Sequence, residues 1–176
     1  MKHFISRRNF LKAAGVTAAA SAMAAAVPQA SACWLTGKDA AVTILYTNDV
    51  HTYIDNKSPK LTYAAIAALK QGYVDEGKPV LLVDAGDHIQ GTAYGSMDDG
   101  ATIIELMNEA GYDVATLGNH EFDYGMARAK AVIKEADFPY VSCNWVDLRT
   151  GLRVLPAVKL FPAGGKWIAF VGITTP

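Results

Sequence analysis

The chain has 176 residues, 51% of them hydrophobic, and a formal net charge of −1, which suits one domain or part of a larger one with a real core and excludes a disordered chain. The near-neutral total hides an asymmetry: Lys2, Arg7, Arg8 and Lys12 precede residue 33 without a single acid, leaving 12 basic against 17 acidic side chains beyond it. A body that acidic has no basic surplus to replace phosphate counterions, so electrostatic binding of nucleic acid is excluded, and any phosphate ligand would need positive charge from another source such as a metal.

Residues 1–32 read as an export signal. "MKHFISRRNFLK" is a basic leader, and "AAGVTAAASAMAAAV" (13–27) is a run of small, weakly apolar residues, too short and Ala-rich for a membrane-spanning helix. Ser6-Arg7-Arg8-Asn9-Phe10-Leu11-Lys12 resembles the twin-arginine signal, which implies that a bacterial export machinery carries the protein out already folded. Ala30-Ser31-Ala32 fits a small-residue cleavage site before Cys33. The same stretch resembles a lipoprotein cleavage box that would lipidate Cys33, with Ala30 where that box usually has Leu; simple cleavage is the favoured alternative. Cys143 is the other cysteine, so no disulfide framework is indicated and a buried thiol is expected.

From residue 42 short β-branched runs alternate with stretches of helical period. "VTILYT" (42–47) predicts a buried strand. "KLTYAAIAALKQG" (60–72) predicts a helix with Leu61, Ala64, Ala65, Ala68 and Leu69 on its apolar face. "PVLLVDAGD" (79–87) is a second strand, "ATIIELMNEAG" (101–111) a helix closed by Gly111, "DVATLGN" (113–119) a third strand, "MARAKAVIKEA" (126–136) a helix and "PYVSCNWV" (139–146) a fourth strand. "LPAVKLF" and "KWIAFVGIT" flank Ala163-Gly164-Gly165 as a hairpin would. The pattern predicts an α/β fold with a largely parallel sheet, to which the hairpin adds antiparallel strands.

In open α/β sheets ligands gather at the carboxyl ends of the strands. Here those ends run into "TNDVH", "GDHIQG" and "GNHEFDYG", each rich in oxygen or imidazole donors. Asp49 and His51, two apart, share one side of an extended chain and could chelate one ion. Asp87 could bridge two ions through its two carboxylate oxygens. Asn119 offers a neutral amide oxygen, and Asp123 can reach back to orient the His120 ring and favour its protonated form. Of the four histidines, His3 lies in the signal and His51, His88 and His120 all lie in these motifs. Blander readings stand beside these. Asp49 could cap a turn, and His88 has no assigned role and would sit behind the site or on the surface. Glu121 would reinforce its turn or cap the following helix. Gln90, Gly91, Gly118 and Gly125 are backbone formers, and Tyr46, Tyr53, Tyr63 and Tyr73 are packing residues.

"ILYTNDVH", "GDHIQG" and "GNHEFDYG" together resemble, in order and spacing, the 5'-nucleotidase and UDP-sugar hydrolase family of calcineurin-like metallophosphoesterases, from about Val42 to "VGITTP". The resemblance implies a metallophosphoesterase-type β-sandwich flanked by helices, of which 33–176 would be the N-terminal part. It implies two divalent ions, zinc, manganese or similar, bound by Asp49, His51, Asp87 and Asn119, with Asp87 between them. His120 and Asp123 become the catalytic dyad. Such an enzyme uses its ions to polarise a phosphate ester and activate a water, with nucleotides or related esters as substrates, in the periplasm or at the cell surface. The family's later Gly-His-x-His motif does not occur in these residues, and no histidine follows His120, so the resemblance covers the first half of the catalytic domain. Two alternatives follow: a catalytically silent truncated or binding protein, and a thiosulfohydrolase of sulfur oxidation, which the "GNHEFDYG" form favours less than a nucleotidase.

Overall fold

The structure, a computed structural model, describes residues 40–53 and 62–175. The signal, Cys33 and Leu61 lie outside the described residues. Three strands, β1 (Thr43–Thr47), β2 (Val80–Asp84) and β3 (Val114–Ala115), form a parallel sheet in the order β1-β2-β3. Helix α1 (Tyr63–Asp75) precedes β2. A short turn of helix α2 (Ala93–Ser96) and α3 (Ala101–Ala110) lead to β3, and α4 (Met126–Glu135) follows a 3₁₀ turn at His120–Phe122. The hairpin strands β4 (Val158–Ala163) and β5 (Lys166–Val171) close the described chain.

Strand β2 is buried on both faces, as the central strand of a covered parallel sheet must be. Alternation sends Leu82 to one side, where it joins Ile66, Ile103, Ile104, Met107 and Val132 of the helices. Leu81 goes to the other side and meets Val114, Val141, Phe161 and Ala163. The hairpin thus lies across the sheet face and forms a sheet of its own, where the sequence pattern had it extending the first. Its turn is as expected: Ala163 pairs with Lys166, and Gly164 and Gly165 both take positive φ (56° and 75°), the two-residue turn that matches strand twist. Outward on this hairpin Trp167 is 72% exposed.

Two other expectations change. The buried face of α1 is Tyr63, Ile66, Ala67 and Lys70, whereas Ala64, Ala65, Ala68 and Leu69 are exposed. Burying an Ile and a Tyr removes far more apolar area from water than burying alanines, so size decided the rotation of the helix. Lys70 is the polar member of that face, with its ammonium on Asp113 (2.8 Å) and on the Gly111 carbonyl that ends α3. The predicted fourth strand shrinks to two isolated bridges, Tyr140 parallel to Ala115 and Val146 antiparallel to Arg153. Its continuation turns away because the Ser142 and Cys143 amides donate instead to Pro156 and Gly172 carbonyls, and Cys143 is half-buried. Tyr46 and Tyr53 are exposed, not packed. Helix α3 ends as predicted on Gly111, at φ 76°.

The parallel register positions the site. Thr47 stands beside Asp84, and Asp84 beside Ala115, so the three strands finish level and their following loops emerge side by side.

Candidate active site

The first two loops are welded main chain to main chain. The Ala85 amide donates to the Thr47 carbonyl (2.9 Å), Asp49 to Gly86 (3.1 Å) and His51 to Asp87 (2.9 Å). Gly91 lies so close that an added Cβ would stand 2.1 Å from the His51 carbonyl oxygen. Asp49, His51, Thr52 and Asp87 all take positive φ (53°, 47°, 57° and 59°), a conformation unfavourable for side-chain-bearing residues and kept where surroundings over-determine it. Asp49 and His51 therefore do not converge as neighbours on an extended strand. Strand β1 ends at Thr47, and a left-handed turn brings Asp49 Oδ1 to 3.9 Å from His51 Nε2.

The second and third loops are joined by a buried carboxylate. Glu121 accepts four backbone N–H groups: Asp87 (2.8 Å) and Gly118 (2.6 Å) on Oε2, His88 (2.8 Å) and Ile89 (3.3 Å) on Oε1. The expectation that Glu121 serves its own turn captures only the Gly118 bond; three of the four cross between loops. Asp87 Oδ1 in turn accepts the His120 amide (2.8 Å), and a Cβ on Gly118 would stand 2.2 Å from that oxygen. In the 3₁₀ turn residues three apart lie on one side, which sets Asp123 against His120 with Nδ1 to Oδ2 at 2.7 Å. That hydrogen bond raises the His120 imidazole above its ordinary pKa; slight burial opposes it and the Asp123, Asp87 and Glu121 charges add to it.

The result is a tight group. Donor atoms of His51, Asp87 and His120 lie within 4.8 Å of one another, and the two imidazoles meet edge to face with centroids 5.0 Å apart. His51 Nδ1 is held by the Gln90 carbonyl at 3.0 Å, which leaves Nε2 for a ligand, the arrangement in which metal-bound histidines are usually oriented. Asp87 keeps one oxygen uncommitted by His120. Imidazole and carboxylate donors in this state fit a divalent ion. Asn119 is exposed at the start of the 3₁₀ turn and lines an adjoining cavity of about 710 Å³ with Phe122, Trp145 and Thr174.

Behind the group lies a polar network that sequence reading left unassigned. His88 is fully buried, with Nδ1 on Asp84 Oδ1 (2.7 Å) and Nε2 on the Tyr140 hydroxyl (2.8 Å). Asp84 also accepts the Thr47 hydroxyl (2.5 Å) and the Gly86 amide (2.8 Å). Burial pushes the His88 imidazole down, but the Glu121 and Asp84 carboxylates outweigh it and lift the group to about 9. Of the two placements open for His88, the interior one is observed. The visible signal was Asp84, a carboxylate ending an otherwise apolar strand.

Hard donors at the carboxyl edge of a parallel sheet, beside a His–carboxylate pair, define a hydrolase-type site built for a divalent cation. Residues 42–173 match the model of the Calcineurin-like phosphoesterase family, and the chain belongs to it. Residues 5–27 match the twin-arginine translocation signal, so the protein is an export substrate. A 5'-nucleotidase of Vibrio vulnificus (strain CMCP6) is 32% identical over 176 residues, covering 97% of this chain and 32% of the relative. The crystal structure of a 5'-nucleotidase precursor from Thermus thermophilus matches with a TM-score of 0.67 at 31% identity, over 77% of this chain and 29% of that one. An NAD nucleotidase from Haemophilus influenzae matches with a TM-score of 0.66 at 27% identity, over 76% and 26%. The chain spans about a third of the length of the curated relatives it matches. Phosphoesterases of this family use divalent metals, and the His51, Asp87 and His120 group is able to bind one.

Proposed function

We propose that the protein is an exported, two-metal phosphoesterase that hydrolyses nucleotides or related phosphate esters in the periplasm or at the cell surface, with 33–176 as the N-terminal part of its catalytic domain. The observation that carries this reading is the convergence of His51, Asp87 and His120 beside Asp123 at one sheet edge. Asp49, His51, Asp87 and Asn119 are the residues that would hold the ions. When bound, the ions, zinc or manganese, supply the positive field an acidic protein lacks and activate a water for attack on phosphorus.

The two histidines divide by what each offers its second nitrogen. His51 Nδ1 faces a carbonyl, which calls for a proton on Nδ1 and turns Nε2 towards a ligand. His120 Nδ1 faces a carboxylate, which favours the charged ring and leaves Nε2–H to donate. His120 then hydrogen-bonds a phosphoryl oxygen as negative charge builds there, and Asp123 holds the ring in place for it. The test is a titration of the full chain with Mn²⁺ or Zn²⁺, followed by chromatography of the products from AMP (adenosine and phosphate), a UDP-sugar (UMP and sugar phosphate) and a 2',3'-cyclic nucleotide (the nucleoside monophosphate). Metal binding that Asp87→Ala removes, with turnover of at least one substrate, is expected; a metal-loaded protein that hydrolyses none of them would refute the assignment.

A further inference from the structure

The buried ring of His88 takes no part in the function just proposed, yet it sits one residue beyond Asp87. We propose that His88 is a positioning residue for Asp87: its ring clamps the end of β2 to Tyr140, so that Asp87 keeps the left-handed backbone that presents its carboxylate to His51 and His120. The inference rests on the proposed role of Asp87 as a metal ligand.

Three observations meet here. Asp87 takes φ 59°, which a residue with a side chain holds only when its neighbours are fixed. On its C-terminal side, His88 is fixed at three points on three segments: Nδ1 to Asp84 at the end of β2, Nε2 to Tyr140 beside β3, and its amide to Glu121 of the 3₁₀ turn. None of those partners is exposed, so the ring has no water to turn towards. The Asp87 carboxylate is meanwhile held at Oδ1 by the His120 amide. A swing of residue 87 to a relaxed conformation would break that bond and carry the free oxygen out of the group. An ordinary core histidine would contribute stability alone; this one also sets the aim of its neighbour.

The experiment uses the full chain as His88→Leu, His88→Asn and Tyr140→Phe, with Met107→Ala as a core control whose side chain is buried among the helices. Mn²⁺ affinity, thermal midpoint and amide hydrogen exchange at residues 87–89 without metal are measured on each. His88→Leu should weaken Mn²⁺ binding by about 10-fold to 100-fold, the range for residues that orient a metal ligand. His88→Asn, which can still reach Asp84, should recover part of that, and Tyr140→Phe, a variant expected to fold, should lose affinity a few-fold. All three should speed exchange at 87–89. Met107→Ala should lower the midpoint and leave affinity and local exchange unchanged. Unchanged affinity and exchange in the His88 and Tyr140 variants would overturn the proposal, as would equal losses in Met107→Ala. If the wild type binds no Mn²⁺, the functional reading fails, while exchange at 87–89 still decides whether His88 clamps the loop.

Discussion

Glu121→Gln is the sharpest test of how this site is held. The two carboxylate oxygens accept four backbone N–H groups, at 2.6–3.3 Å, in a pocket closed to water. An amide of the same shape keeps one oxygen. It therefore retains two of the bonds and turns an NH₂ against the other two donors. Hydrogen bonds to a charged group contribute about 1.5–3 kcal/mol each, so losing two removes about 3–6 kcal/mol from a total of about 5–15 kcal/mol. Loss of the Glu121 charge also removes support for the charged His88 ring, in the same direction. For a chain of this size the melting midpoint should fall on the order of 10 °C. Urea unfolding followed by Trp145 fluorescence measures the loss in free energy, because that indole is buried edge-on against Phe122, one residue from Glu121. A Glu121→Gln chain within about 1 kcal/mol of the wild type, at an unchanged denaturant slope, would refute the reasoning, since it would mean the four bonds are replaceable.

Other outcomes follow from the same contacts. Asp123→Asn removes the leading cause of the raised His120 pKa, so the alkaline limb of activity, where His120 loses its proton, should move to lower pH while metal affinity stays within a few-fold; a pH–rate profile and a Mn²⁺ titration check the two. His88 is raised from 6.5 to about 9, so in the metal-free protein it contributes stability fully present below pH 6.5 and lost as pH rises through 9. That amounts to about 3 kcal/mol, and urea midpoints at pH 6 and pH 9.5 should converge in His88→Leu. Gly118→Ala, which sets a Cβ 2.2 Å from Asp87 Oδ1, should displace that carboxylate and reduce metal affinity at least ~10-fold, as read by calorimetry.

The strand ends, the closing hairpin and the cap of α3 could be read from the chain because each is a local pattern: an apolar β-branched run, a Gly-Gly pair, an amphipathic stretch ending in Gly. The loops that meet were legible for a related reason, since they follow those strand ends, and the structure brings His51, Asp87 and His120 together there. The buried face of α1 was not, because an alanine-rich stretch carries nearly the same period on several faces and the packing of Tyr63 and Ile66 chose among them. Nor was the fourth strand, whose backbone groups found partners in segments that pattern reading treats as independent.

The larger gap concerns what holds the donors in place. Glu121 reaches residues 32 to 34 positions away, and His88 reaches Tyr140 across 52, so neither partnership has a local signature. Only Asp84, an acid closing an apolar strand, hinted that the interior beneath the loops was charged. That interior explains why the loops can carry strain. Four side-chain-bearing residues, Asp49, His51, Thr52 and Asp87, stand at positive φ within two adjoining loops. Such a conformation costs about 1–3 kcal/mol at each position and persists only where surroundings over-determine it. The in-register strands bring the loops level, the Glu121 carboxylate ties the second to the third, and His88 ties the second to the sheet beneath. The first loop is bound to the second through main-chain bonds, with Thr52 Oγ1 accepting the Thr92 amide at 2.7 Å as its far anchor. The clustered donors and the buried anchors therefore alternate along the chain, Asp84 then Asp87 then His88, and His120 then Glu121, so that Asp87 and His120 each have a fixed residue as a near neighbour.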